Sequence, residues 1–213
     1  MPEEQKASSR AERHFWLRRL HSLSGIVPVG AYLAFHLWEN HAATRGPEAY
    51  NEMSRRLQQM PLAIFLEIFV IAVPLLFHGI YGLFITTTAR PNVISNRYVR
   101  NWMYFLQRVT GVLVFAFILF HYWTTRLVQL QDHESLDLFR LVQSTVENPW
   151  LFAFYVAGIL SATFHLANGI WSFSIVWGLS IGPKAQRRMV YVSAVVFVVL
   201  SVLGIRSIQA FRL

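Results

Sequence analysis

The 213-residue chain has no cysteine and few charged residues, and both shortages narrow its chemistry. Without thiolates there is no cysteine-held iron–sulfur cluster, no C-x-x-C-H haem attachment and no disulfide. Charged residues are 14% of the chain and hydrophobic ones 54%, whereas soluble domains are nearer a quarter charged. Acids are scarcest: 11 Asp and Glu stand against 19 Lys and Arg, leaving a net charge of +8.

Apolar runs fill the space instead. Five are long enough to cross a bilayer core, which takes about 20 residues: roughly 22–42, 61–87, 104–128, 149–178 and 190–210. The fold expected is an all-α integral membrane protein, a single domain over 1–213 with five transmembrane helices. The first apolar run follows about 20 charged or polar residues and is itself long enough to span, so the N-terminus does not read as a cleavable signal peptide. No second domain, low-complexity tract or flexible linker interrupts the pattern.

The basic excess is one-sided. With five spans, residues 1–21, 88–103 and 179–189 share one side of the membrane. With the flank at Arg108 they hold Lys6, Arg10, Arg13, Arg18, Arg19, Arg90, Arg97, Arg100, Arg108, Lys184, Arg187 and Arg188 against Glu3, Glu4 and Glu12. The other side holds seven arginines and eight acids, counting Glu39 and Glu67 near the membrane edge. The positive-inside rule places the N-terminus in the cytoplasm. The charge is therefore a topology signal with some attraction for anionic lipid, not a nucleic-acid footprint.

Connections between spans are mostly short, so consecutive helices should be antiparallel neighbours. Within 43–60, Tyr50, Met53, Leu57 and Met60 recur near helical spacing with Glu48, Glu52 and Arg56 between them. Residues 134–146 behave similarly, and both stretches read as short amphipathic helices at the interface.

Four spans each carry one histidine after a phenylalanine: Phe35-His36, Phe77-His78, Phe120-His121 and Phe164-His165. They form a weak internal repeat, FHxW then FHxxxG, read once in spans one and two and again in spans three and four. Ser24-Gly25-Ile26 precedes His36 as Thr110-Gly111-Val112 precedes His121, with small residues that allow close helix approach or clearance for a flat ligand. Depth then sorts the four. Spans one and three run outward, and His36 and His121 lie roughly 14 and 17 residues in, past the midplane. Spans two and four run inward, with His78 and His165 roughly 16–17 residues from their outer starts. The expected pairs are His36 with His121 in the outer leaflet and His78 with His165 in the inner one.

Imidazole suits iron, copper, zinc or nickel, and no cysteine or carboxylate at either depth completes a tetrahedral site. Two histidines per metal fit a planar macrocycle that brings its own four nitrogens. That implies two haems stacked across a four-helix haem-binding bundle, doing electron transfer because no iron position stays open. The competing reading of any single one is an interhelical hydrogen-bonder. The preceding phenylalanines sit about 100° round the helix and are equally filler. Trp38 and Trp123 also suit an interfacial belt.

Other polar residues are candidates of a second rank. His14, His41 and His133 read as solvated or interfacial. His21, with Arg18, Arg19 and Arg108, lies at the inner edge, where haem propionates would emerge and charge-assisted pairing would hold them; anionic lipid heads are the alternative. Glu67 lies about two turns into span two, where an acid is snorkelling, protonated or functional. Beside the outer pair it would be placed to accept quinol protons.

These stretches resemble the di-haem cytochrome b membrane-anchor subunit of succinate dehydrogenases and fumarate reductases, in particular the five-helix succinate:menaquinone type. The resemblance is carried by RLHSLSGIVPVGAYLAFH (19–36), LEIFVIAVPLLFHGIYGLF (66–84), RNWMYFLQRVTGVLVFAFILFHYW (100–123) and TFHLANGIW (163–171). It covers nearly the whole chain after about residue 13 and is weakest in 131–148. The resemblance implies two non-covalent haems b, menaquinone as substrate, and flavoprotein and iron–sulfur subunits docked on the cytoplasmic face of a bacterial inner membrane. Electrons would pass from succinate to the inner haem (His78/His165), the outer haem (His36/His121) and menaquinone. Related di-haem fumarate reductases carry a glutamate two residues before the fourth ligand; Thr163 stands there instead, which favours succinate oxidation. The alternatives are an anchor of another quinone-linked dehydrogenase and a proton-coupled transporter, the latter poorly served by spans so short of acids.

Overall fold

A proline and an unbroken run of helix formers set the shape of the first span. The computed structural model describes residues 3–88, 90, 92–131 and 137–213, with side chains from residue 11 onward, and all its regular structure is helical. Helix α1 (Glu3–Ile26) carries the charged N-terminal stretch straight into the apolar run, so the polar lead is the protruding end of the span itself. Pro28 interrupts it, since a proline has no N–H and its ring crowds the carbonyl one turn back. The chain restarts as α2 (Pro28–Asn40), with that proline in the first turn.

A 3₁₀ turn, His41–Arg45, leads to α3 (Pro47–Gln58), the first of the two expected outer helices. The second span, α4, runs Ala63–Thr88. Its Leu66–Ala72 segment widens to a π-helix just before Pro74, whose missing N–H disturbs the ladder there. The third span, α5, covers Val99–Gln131 and contains a second π segment, Trp123–Leu127.

Helix α6 (Leu138–Val146) is the other outer helix; residues 132–136, including His133, lie outside the described residues. Span four, α7 (Pro149–Val176), starts on an Asn148 cap whose side chain accepts the N–H groups of Trp150 and Leu151 at 2.9 and 3.3 Å. It stops at Gly178, whose φ of +71° is the left-handed conformation that ends helices. Span five is α8 (Gly182–Ala210).

The first four spans close a ring. α1 meets α4, α4 meets α5, α5 meets α7, and α7 returns to α1. Span α8 packs outside it, against α7 and α2. Small residues allow that approach. Gly204 faces Ile159 and Leu37 so closely that a methyl there would overlap Ile159, and Thr163 pairs with Ser201 at 2.8 Å.

The span ends opposite the N-terminus, outer in the expected topology, carry a cap. Asn51 of α3 donates to Asp137 at 2.8 Å, and the Phe139 N–H donates to Asn51 at 3.0 Å. Tyr50 meets Phe139 and Phe211 edge to face, and those two rings pack tilted at 4.8 Å. Burial pushes the Tyr50 hydroxyl above its ordinary pKa. The Asn51 and Arg140 hydrogen bonds hold the Asp137 carboxyl below the usual carboxylate range.

Candidate metal centres in the four-helix ring

The ring sets helices one and three, and helices two and four, diagonally across from each other. Each diagonal carries one pair of histidines. His36 and His121 face each other with ring centroids 5.8 Å apart. His78 and His165 do so at 6.1 Å. Two metal–imidazole bonds of about 2.0 Å, plus half a ring on either side, span about 6 Å. The separation within each pair would let its two imidazoles hold one metal between them. Sequence neighbours such as His36 and His78 are not brought together in this way.

The ring nitrogens divide their work. His78 Nδ1 donates to the His21 carbonyl at 2.9 Å, and His165 Nδ1 donates to the Gln107 carbonyl at 3.0 Å. His36 Nδ1 faces the Glu39 carboxylate at 3.2 Å, and His121 Nδ1 lies 3.4 Å from the Tyr155 hydroxyl. A partner on Nδ1 fixes the ring and the tautomer and leaves the Nε2 lone pair of His78, His121 and His165 for a metal, while at His36 the Asn40 amide also lies 3.3 Å from Nδ1 and 3.4 Å from Nε2.

Glycines make room for the inner rings. A methyl on Gly25 would run into His78 Cε1, and one on Gly111 would come within 3.0 Å of His165 Cε1. Gln107 adds a second support, donating to the His165 carbonyl at 3.1 Å while its own side-chain carbonyl accepts from Asn168 at 2.7 Å.

Around the inner pair several donors are buried with no acceptor: His21 Nε2, Tyr81 Oη, Arg108 Nε and Trp171 Nε1. A buried donor left without a partner is costly. Such a set fits a ligand that brings acidic oxygens to the inner end, as haem propionates would. The residues present therefore fit the group.

The expected inner-edge cluster is only partly assembled. His21 stacks on His78, with centroids 4.1 Å apart and planes 6° from parallel. Arg108 lies over the Tyr104 ring at 3.3 Å and donates to the Tyr104 carbonyl. Arg19 turns away, sandwiched between Phe15 and Trp177 at 5.1 and 4.9 Å. It lines an open groove of about 620 Å³ with Arg13, Trp16 and Leu20.

Glu67 is neither free nor snorkelling. Arg126 grips it through two nitrogens, with Nε to Oε1 at 2.6 Å. Glu67 sits in the π segment of α4 and Arg126 in that of α5. The Glu67 segment packs on α2, the helix that carries His36. Thr163 is fully buried, its hydroxyl donating to the Ile159 carbonyl at 2.9 Å.

Sequence reasoning missed Gln107, Asn168, Tyr155 and the Arg126 partner of Glu67. Gln107 and Asn168 were detectable as amides on otherwise apolar faces; Tyr155 and Arg126 gave no such signal.

Comparison with known proteins sharpens the picture. Residues 91–204 match the model of the family described as succinate dehydrogenase/fumarate reductase transmembrane subunit. The chain is 41% identical to the succinate dehydrogenase cytochrome b558 subunit of Bacillus subtilis over 199 residues, which is 93% of this chain and 98% of that one. It is also 28% identical to the succinate dehydrogenase hydrophobic membrane anchor subunit of Thermoplasma acidophilum over 100 residues, covering 47% of this chain and 77% of that one.

Proposed function

The chain belongs to the succinate dehydrogenase/fumarate reductase transmembrane subunits, as a multi-pass membrane-anchor cytochrome b, and from that premise we propose that it conducts electrons from an iron–sulfur subunit to menaquinone using two bis-histidine haems b. The observation that carries the reading is the pair of diagonals, each presenting two imidazoles whose Nδ1 atoms are already engaged.

His78 and His165 would hold the inner haem, and His36 and His121 the outer one. Haem b so held supplies a one-electron carrier with no open iron position. The protein's share is orientation and insulation. Carbonyls of His21 and Gln107 lock the inner rings, and Gly25 and Gly111 give them clearance. His21 and Arg108, with Tyr81 and Trp171, whose buried donors have no partner within the protein, would hold propionate oxygens at the inner end. Arg19 contributes to the basic face there, where an iron–sulfur subunit and its flavoprotein partner dock on the cytoplasmic side of a bacterial inner membrane. Glu67, held by Arg126 next to α2, is the acid placed to exchange protons with the quinone near the outer pair. The absence of an acid at Thr163 favours succinate oxidation as the working direction.

Haem extraction and iron analysis of the purified subunit test this reading. Two non-covalent haems b per chain are expected; none, or one, would overturn it.

A further inference from the structure

Of the four histidines, three turn Nδ1 to a neutral oxygen: the His21 carbonyl, the Gln107 carbonyl and the Tyr155 hydroxyl. His36 alone turns it to a carboxylate. Glu39 lies one turn along the same helix, and its Oε1 is 3.2 Å from His36 Nδ1. Both side chains are mostly enclosed, 27% and 21% exposed.

Arg126, on the outer half of α5, is committed to Glu67, and among the described residues no lysine or arginine pairs with Glu39. The carboxylate borders a cavity of about 20 Å³ lined by Tyr50, Met53 and Ser54 of the outer cap. That is room for one water, with two hydroxyls beside it to complete the carboxylate's hydrogen bonds. The ring is otherwise fixed from two sides. Tyr32 stacks on it at 5.4 Å, and Asn40, which accepts from Tyr50 at 3.3 Å, donates to the His36 carbonyl at 2.7 Å.

We propose that Glu39 is a positioning and tuning residue for the outer haem, setting its redox potential through His36. The inference rests on the di-haem reading above. A carboxylate on Nδ1 makes the imidazole a stronger donor to the metal. Its negative charge, held in an enclosed site, also favours the ferric over the ferrous iron. The outer haem is therefore harder to reduce than it would be with a neutral partner. The inner pair, built on backbone carbonyls, has no equivalent handle.

Potentiometric titration of the haem-loaded subunit, followed optically and by electron paramagnetic resonance, tests the assignment. Glu39→Gln keeps the size and loses the charge. At a fixed ambient potential near the outer midpoint, it should raise the ratio of ferrous to ferric outer haem about tenfold, equivalent to about 59 mV for one electron. The inner midpoint should stay where it is. Glu39→Asp, which keeps the charge, should stay nearer the wild-type value. Equal shifts of both haems, or none, would overturn the proposal. If Glu39→Gln fails to retain the outer haem, Glu39→Asp decides: a near-wild-type midpoint supports the role and a Gln-sized shift expected above refutes it. A wild-type chain lacking one haem would instead overturn the di-haem reading itself.

Discussion

The two histidine pairs have nearly the same spacing, 5.8 and 6.1 Å, but are supported in different ways. The inner rings lean on backbone: carbonyls of His21 and Gln107 take their Nδ1 protons, and glycines stand opposite their Cε1 atoms. The outer rings lean on side chains, with Glu39, Tyr155 and Tyr32 around them and the Asn40–Tyr50 link to the cap. Backbone support cannot be mutated away, only crowded. Side-chain support can be removed residue by residue, which makes the outer site the adjustable one.

Crowding should therefore have the largest effect, and only on the inner site. Gly25→Ala puts a methyl against His78, where overpacking costs about 1–3 kcal/mol and the ring has no route of retreat past its own hydrogen bond. The expected result is loss of the inner haem in an optical spectrum with the outer one retained. Gly111→Ala, with 3.0 Å of clearance from His165, should weaken the same haem less. Loss of the outer haem in either variant would erase the contrast.

Next comes the charge pair on the π segments. Arg126→Leu leaves Glu67 without its partner, a loss on the order of 1–2 kcal/mol, between the values for surface and buried pairs because the side chains keep 22% and 31% exposure. Thermal unfolding followed by tryptophan fluorescence should show a lowered midpoint. Glu67→Gln combined with Arg126→Leu should recover much of it while quinone reduction stays impaired. Recovery of both would make Glu67 a purely structural residue.

The smallest effect belongs to the cap. Asp137→Ala removes the N-cap of α6 and should cost about 1 kcal/mol. The pH dependence has a definite sign. Because the folded pKa is depressed, the Asp137 contribution is fully present above the unfolded value near 3.9 and disappears as pH falls through the lower folded value. The wild-type and alanine unfolding midpoints should therefore converge in acid. A gap that widened there would assign the difference to another group.

Much of this was legible before the structure. Span direction and residue count were enough to match His36 with His121 and His78 with His165, because depth along a helix follows directly from sequence. Azimuth does not. Arg19 and Arg108 share the inner edge, yet one turns to Trp177 and the other lies over Tyr104. The Nδ1 acceptors of the inner rings are backbone carbonyls, which every residue has, so no residue type announces them. Glu67 could be flagged as an acid in lipid, but its partner is 59 positions away in another span. The first helix also starts well ahead of the apolar segment, because nothing in residues 3–26 breaks a helix before Pro28.

The most direct test of the account is the haem spectrum of four single variants, His36→Ala, His121→Ala, His78→Ala and His165→Ala, resolved by their separate electron paramagnetic resonance signals. The first two should lose one and the same haem, and the last two should lose the other. If His36→Ala matched His78→Ala instead, the diagonal pairing, and the two-depth electron path built on it, would be wrong.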